Sequence, residues 1–397
     1  MAKYNFDEIH DRRGTNSIKW DMGPKYMGRD DLLPMWVADM DFKLPDEIIE
    51  DIVKSASRGI YGYTDPGEDY IKSLNYWFKT RHGFEVESDW VIVQPGVVFG
   101  ISIAIRALTE PGDAVMVQQP VYYPFTRTIE QNGRRVVNNE LLYTDGGYEI
   151  DFEDFEEKII SENVKMFILC SPHNPVGRVW TRDELLKMAR ICKEHDVYVF
   201  ADEIHFDFVY SSYTHIPYIS LGREFTDRLI IGTSASKTFN MAGLQIANII
   251  IPDPEVREKY RKVNTASGYG QCAITGLYGV MSAYTKGAEW LDEMLEYIEG
   301  NLACVRNFLK EKLPKVHLVE PEGTYLIWLD FTELVQDHKE LEKLIVDKAH
   351  LWLDPGSIFG SRSSLFERVN IACPRLTIVQ AMDQLYEAVR SYCDDTM

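Results

Sequence analysis

The chain has 397 residues, 45% of them hydrophobic and 26% charged, an ordinary globular balance far from disorder. A formal net charge of -20 argues against phosphate backbones and anionic membranes as ligands, so neither nucleic acid nor a membrane is expected as a partner. Six scattered cysteines with no CxxC pair, and a polar N-terminus (MAKYNFDEIHDRRG) with no apolar stretch, suggest buried thiols in a cytoplasmic protein without a secretory signal.

In chain order, the first buried-strand pattern is WVIVQ, residues 90–94. A helical pattern follows over 97–110 and stops before Pro111-Gly112. Further strand patterns are AVMVQQ (114–119), MFILC (166–170), VYVFA (197–201), LIIGT (229–233) and ANIII (247–251). They are rich in β-branched and aromatic residues and do not alternate, which suits strands buried on both faces. The helical pattern at 181–195 opens with Thr181 and Glu184 at capping-box spacing. Strands alternating with helices imply a mostly parallel sheet. After about residue 253 the chain is helix-rich to about 313. Strand patterns then fall at 316–321, 324–331 and 368–373, with helices at 339–349 and 377–392. The expectation is an α/β protein with a large domain over 46–289 and a smaller α+β domain built from 1–45 and 290–397.

Ligands of open parallel sheets bind beyond the carboxyl ends of the strands. Those ends carry Gly96 ahead of a helix, Tyr122 and Tyr123, Asn174 before Pro175, Asp202, and the run SASK with Ser234, Ser236 and Lys237. Each alone has an ordinary structural explanation: a turn asparagine, a capping aspartate, packing tyrosines, a solvated lysine. Together they match pyridoxal phosphate (PLP) chemistry. A lysine forms a Schiff base with the aldehyde, and a carboxylate pairs with the pyridine nitrogen. An asparagine can reach the ring 3-oxygen, an aromatic face can stack on the ring, and a helix start favours the phosphate.

Across nearly the whole chain the sequence resembles the fold-type I PLP enzymes of the aspartate aminotransferase superfamily. Within them it is most similar to the MalY/PatB-type cystathionine β-lyase (C–S lyase, cystalysin-like) branch. The resemblance rests on RRGTNSIKWD, PMWVADMDF, YGYTDP, QPVYYPF, SPHNPVGRVW, ADEIHFDFV, SASKTFNMAGLQ and NIACPR. It implies that Lys237 carries the cofactor and moves the α-proton. Asp202 would pair with the pyridine nitrogen, Asn174 with the 3-oxygen, and Tyr122 would stack on the ring. Tyr123 would handle a proton. Gly96, Val97, Ser234 and Ser236 would hold the phosphate, joined by Tyr63 from the neighbouring subunit of a homodimer. Arg375 would clamp the substrate carboxylate, with Asn174 and Asp39 beside the substrate.

Two positions depart from the wider superfamily. Gln245 stands where many aminotransferases have an arginine, and His205 where many have a tyrosine. Both fit the lyase branch. The expected activity is cleavage of cystathionine or related cysteine S-conjugates to pyruvate, ammonia and a thiol. An amino-acid aminotransferase, or a regulatory protein with secondary lyase activity, are the alternatives. No HExxH, GxSxG or helix-opening GxGxxG motif occurs, so no metal site is expected.

Overall fold

The computed structural model describes residues 3–144 and 147–396. A seven-stranded sheet forms its centre. In chain order its strands are β1 (Val91–Gln94), β2 (Ala114–Val117), β3 (Arg135–Asn138), β4 (Val164–Cys170), β5 (Tyr198–Asp202), β6 (Leu229–Thr233) and β7 (Ala247–Ile250). The spatial order is β1-β7-β6-β5-β4-β2-β3, and only β7 runs antiparallel to its neighbours. Every residue of β2, β6 and β7 is buried, as two-sided coverage by helices requires.

Helix α1 (Val97–Leu108) leaves β1 through Gly96 and lies close over the sheet. Two glycines permit that approach. A Cβ at Gly100 would stand 2.3 Å from Ile249 Cδ1, and one at Gly232 would stand 2.6 Å from Val97 Cγ1. The start of α1 is thereby held beside the end of β6. Helix α2 (Arg182–Glu194) shows the expected capping box: Thr181 Oγ1 accepts from the Glu184 amide at 3.3 Å, and Glu184 Oε2 accepts from the Thr181 amide at 2.8 Å.

A second, antiparallel sheet comprises β8 (His317–Val319), β9 (Leu326–Asp330), β10 (Asp354–Pro355) and β11 (Phe366–Asn370), in the order β8-β9-β11-β10. The N-terminal segment forms a separate two-stranded parallel pairing, of Leu33 with Leu351 and Pro34 with Trp352. One apolar core runs continuously from the large sheet to the small one. Among the described residues no helix is long and apolar enough to cross a membrane.

Three elements differ from the sequence expectation. Strand β3 was not anticipated, because it is an edge strand with an exposed start and only Val137 fully buried. The helix expected at 339–349 is a short α-helix (His338–Glu342) that continues as a π-helix (Lys343–Lys348). The strand expected at 368–373 runs instead from Phe366 to Asn370, and Cys373 lies beyond it.

Replacing Thr181 with alanine removes the cap of α2. It should cost about 1 kcal/mol of folding free energy, read by denaturant titration. Because α2 does not enter the cleft, the binding properties should stay intact.

Candidate active site

The carboxyl ends of β4, β5 and β6 and the start of α1 open onto one cavity of about 180 Å³. Its wall brings together Gly96, Tyr122, Asn174, Asp202, Ser234 and Lys237, together with Val97 and Ser236. Lys237 sits in a single helical turn, α3 (Ala235–Thr238), directly after β6. Its Nζ donates to the Ala38 carbonyl at 2.8 Å. Burial, reinforced by the nearby Arg368 cation, pulls its pKa down to about 8, against the opposing pull of Asp39 and Asp202. The amine is therefore largely available as a nucleophile at mildly alkaline pH.

Asp202 ends β5 and is buried. One oxygen accepts from the Ile204 amide at 3.1 Å. Desolvation raises its pKa to about 7, only partly opposed by that hydrogen bond and by Lys237. A buried carboxylate with so little compensation is suited to a cationic partner in the cavity. Asn174 offers its Oδ1 to Arg368 Nη1 at 3.0 Å, and its carbonyl accepts from the Tyr122 amide at 3.0 Å, so the loop after β4 fixes the tyrosine.

Among the described residues, Lys237 is the only cation in the cavity wall. Gln245, in the left-handed region at φ 55°, lies in the wall and donates to the Ala242 carbonyl at 3.2 Å. Gly96 has an extended backbone, and a Cβ there would meet no protein atom within 4 Å. The space beside the first turn of α1 is thus open to a ligand. The Ser234 hydroxyl accepts from the Ser236 amide at 3.0 Å and donates to the Ile246 carbonyl at 2.6 Å. His205 is also in the wall and buried. Desolvation holds it neutral, and its Nδ1 has no hydrogen-bond partner among the described residues.

Four expected site residues lie outside this cavity. The Tyr123 ring is 5.6 Å from that of Tyr122 but faces the neighbouring cavity. Tyr63 is 94% exposed and is not in the wall of the lysine cavity. The Asp39 carboxylate is held by Arg12, at 2.7 Å from Nη2, and lines an adjoining surface pocket.

Arg375 does not point into the cleft at all. It opens the last helix, α5 (Arg375–Thr396), and turns to α4 (Ala288–Lys312). There its Nε donates to Asn301 Oδ1 at 2.8 Å and its Nη2 to the Tyr297 carbonyl at 3.2 Å. The structure thus places Arg375 outside the cavity that holds Lys237, with Nε and Nη2 bonded to α4. An arginine that does touch the cavity wall is Arg368, on β11, through Asn174. It is 2% exposed, bonded to Asn174, to the Trp36 carbonyl at 2.9 Å and to the Asp354 carboxylate, with Nε buried and unpartnered. The signal in the sequence was a cation inside an apolar strand, which is rarely tolerated without a buried partner.

A nucleophilic lysine, a compressed carboxylate, an amide, an aromatic face and an open helix start constitute the donor set of a PLP enzyme. The class I and II aminotransferase family model matches residues 31–385, and the chain belongs to that family. Within it, the chain is 42% identical to cystathionine beta-lyase PatB of Bacillus subtilis, over 97% of this chain and 100% of that protein. It is 33% identical to protein MalY of Escherichia coli, over 98% and 99% respectively. Among solved structures, cystalysin from Treponema denticola, which contains pyridoxal 5'-phosphate, superposes with a TM-score of 0.95 at 38% identity, over 98% of this chain and 99% of that one. A PLP-bound C-S lyase from Staphylococcus hominis gives a TM-score of 0.91 at 32% identity, covering 98% of each chain.

Lys237 should react with a small amine-directed reagent along a pH curve centred near 8, well below the ~10.4 of a free lysine. Peptide mass mapping of the ligand-free protein reads this. A midpoint shared with surface lysines would contradict the desolvated environment.

Proposed function

We propose that this protein is a PLP-dependent carbon–sulfur β-lyase that cleaves cystathionine or related cysteine S-conjugates to pyruvate, ammonia and a thiol. The observation that carries the reading is the convergence of Lys237, Asp202 and Asn174 from three adjacent strand ends on one cavity, with Arg368 bonded to Asn174. The high similarity to cystathionine beta-lyases over the full chain supports the same reaction. The donors fit PLP. Lys237 would hold it covalently, Asp202 and Asn174 its ring, Tyr122 its face, and Gly96, Val97, Ser234 and Ser236 its phosphate.

When bound, PLP supplies an aldehyde that captures the substrate amine and a protonated ring that accepts the electrons of the Cα–H bond. The protein performs the rest. Arg368 takes the α-carboxylate by the fork of its guanidinium, for which it must share or exchange its present acceptors. Lys237, with its pKa brought to about 8, removes the Cα proton as a base. Asp202 would be the anion that keeps the ring nitrogen protonated. Tyr123, whose hydroxyl burial keeps protonated, donates to the departing sulfur at Cβ. The released enamine hydrolyses to pyruvate and ammonia, and cystathionine leaves homocysteine as its thiol.

Among the described residues no cation other than Lys237 lines the cavity, and Tyr63 projects outward beside the exposed Ile60 and Tyr61. These features support a homodimer in which Tyr63 completes the phosphate site of the partner.

Incubation with cystathionine and no keto acid should release pyruvate and homocysteine in equal amounts; formation of the pyridoxamine form without thiol would identify an aminotransferase instead. Lys237→Ala should lose both this activity and the visible absorbance of bound PLP. Arg368→Ala should keep that absorbance and raise KM by at least an order of magnitude, as loss of a charge-assisted pair predicts. Arg375→Ala should have a far smaller effect on KM.

A further inference from the structure

The N-terminal segment meets the lysine cavity at Ala38, which lines it. The backbone carbonyls around this point are held by side chains from distant elements. Val37 and Asp39 accept from Asn370 Nδ2 at 2.7 and 3.0 Å, and Met40 accepts from Asn240 Nδ2 at 2.8 Å. The Ala38 carbonyl accepts from Lys237 Nζ at 2.8 Å and also from the Tyr325 hydroxyl at 3.3 Å. Of these donors only Lys237 has to move in the reaction proposed above. It must hold PLP and then act as the base at Cα, so it cannot stay on Ala38 throughout. Tyr325 can.

Tyr325 stands immediately before β9, is 1% exposed, and is not itself in the wall of the lysine cavity. Its ring meets Phe208 edge-on at 4.7 Å and His205 at 5.7 Å. Its carbonyl accepts from the Ile371 amide at 2.9 Å. Burial keeps its hydroxyl protonated, and so a donor. The residue before it, Thr324, lies in the left-handed region at φ 68°, which a β-branched residue rarely adopts. The Thr324 amide is bonded to the Phe208 carbonyl at 2.9 Å, and its Oγ1 accepts from the Leu326 amide at 3.2 Å. A strained backbone persists where its surroundings over-determine it. Here the strain falls one residue before the side chain that reaches Ala38.

We propose that Tyr325 is a positioning residue for Lys237, acting through the Ala38 carbonyl. While Lys237 is engaged on the cofactor, the phenol keeps that carbonyl bonded and in place. Without it, a carbonyl in the wall of a filled cavity would lose its donor at that stage, at a cost in free energy. When the amine is free, it returns to an acceptor already oriented for it. The phenol also competes for the carbonyl, so the ammonium form of Lys237 is held less firmly than by an unshared acceptor. The proposal rests on the lyase reading above and deepens it by adding a residue that touches neither cofactor nor substrate.

The test is Tyr325→Phe, which removes one hydroxyl and keeps the ring with both its contacts. The groups that face Lys237 are Arg368 on β11, Asp39 in the N-terminal segment, Asp202 at the end of β5 and the neutral His205 beyond it. All are the same in both proteins, so a difference reads the hydroxyl. In the cofactor-free full chain, the pH midpoint for labelling Lys237 should move upward by about one unit, the scale of one hydrogen bond. In the holoenzyme, kcat for cystathionine should fall about tenfold while KM stays unchanged. An unmoved labelling midpoint overturns the shared carbonyl. A moved midpoint with kcat unchanged, or with the loss confined to KM, overturns the role in turnover. So does a thermal melt showing that the variant does not fold, since the phenol would then be a structural group. If the unsubstituted holoenzyme releases no thiol from cystathionine, the lyase reading itself fails. The labelling midpoint needs no substrate and decides the link between Tyr325 and Lys237 in either case.

Discussion

A guanidinium buried in a protein must be surrounded by acceptors, and Arg368 meets that requirement with groups from three distant parts of the chain. Asn174 comes from the large sheet, Asp354 from the small one, and the Trp36 carbonyl from the N-terminal segment. Removing Asp354 would leave the buried guanidinium without a counter-charge, which is far more costly than the pair itself is stabilising. The small sheet, the loop after β4 and the N-terminal segment are thus held in register around one side chain. Its charge also reaches Lys237 and helps to lower that residue's pKa. The group that assembles the cleft also tunes it.

The cavity shows how environment sets protonation. Desolvation is the leading influence on both Lys237 and Asp202, and it drives them toward each other, to about 8 and about 7. Both groups are brought near neutral pH, where small changes in occupancy can move a proton. The opposite end is built without charge. Gln245 and the Ser234 and Ser236 hydroxyls offer only dipoles there, together with the start of α1.

Much of this was legible in the sequence because buried parallel strands are nearly continuous apolar runs, and the residues just after them must face the cleft. That logic located Asn174, Asp202 and Lys237 from three strand ends. It does not reach side chains inside a strand. FERVNIACPR offers two arginines, and the resemblance points to the one following the apolar run. Register decides otherwise: β11 ends at Asn370, so Arg368 lies in the sheet facing Asn174, while Arg375 begins a helix and is claimed by Asn301. Nor could spacing reveal that Asp39 would be taken by Arg12, a pairing that depends on how the N-terminal segment folds back. Edge strand β3 escaped for a simpler reason, since its half-exposed residues leave no apolar run to detect.

The walls of the two cavities are inherited from different parts of the chain. The lysine cavity draws mainly on strand ends between Pro95 and Ile246, positions fixed by the sheet's hydrogen bonding. The neighbouring cavity that Tyr123 faces, with Trp36 and Trp352 in its wall, draws on Ile18 to Trp36, on the turn from Tyr123 to Arg127, and on His338 to Glu367. Substitutions in those segments leave the groups anchored at the sheet in place, so the two walls can vary independently.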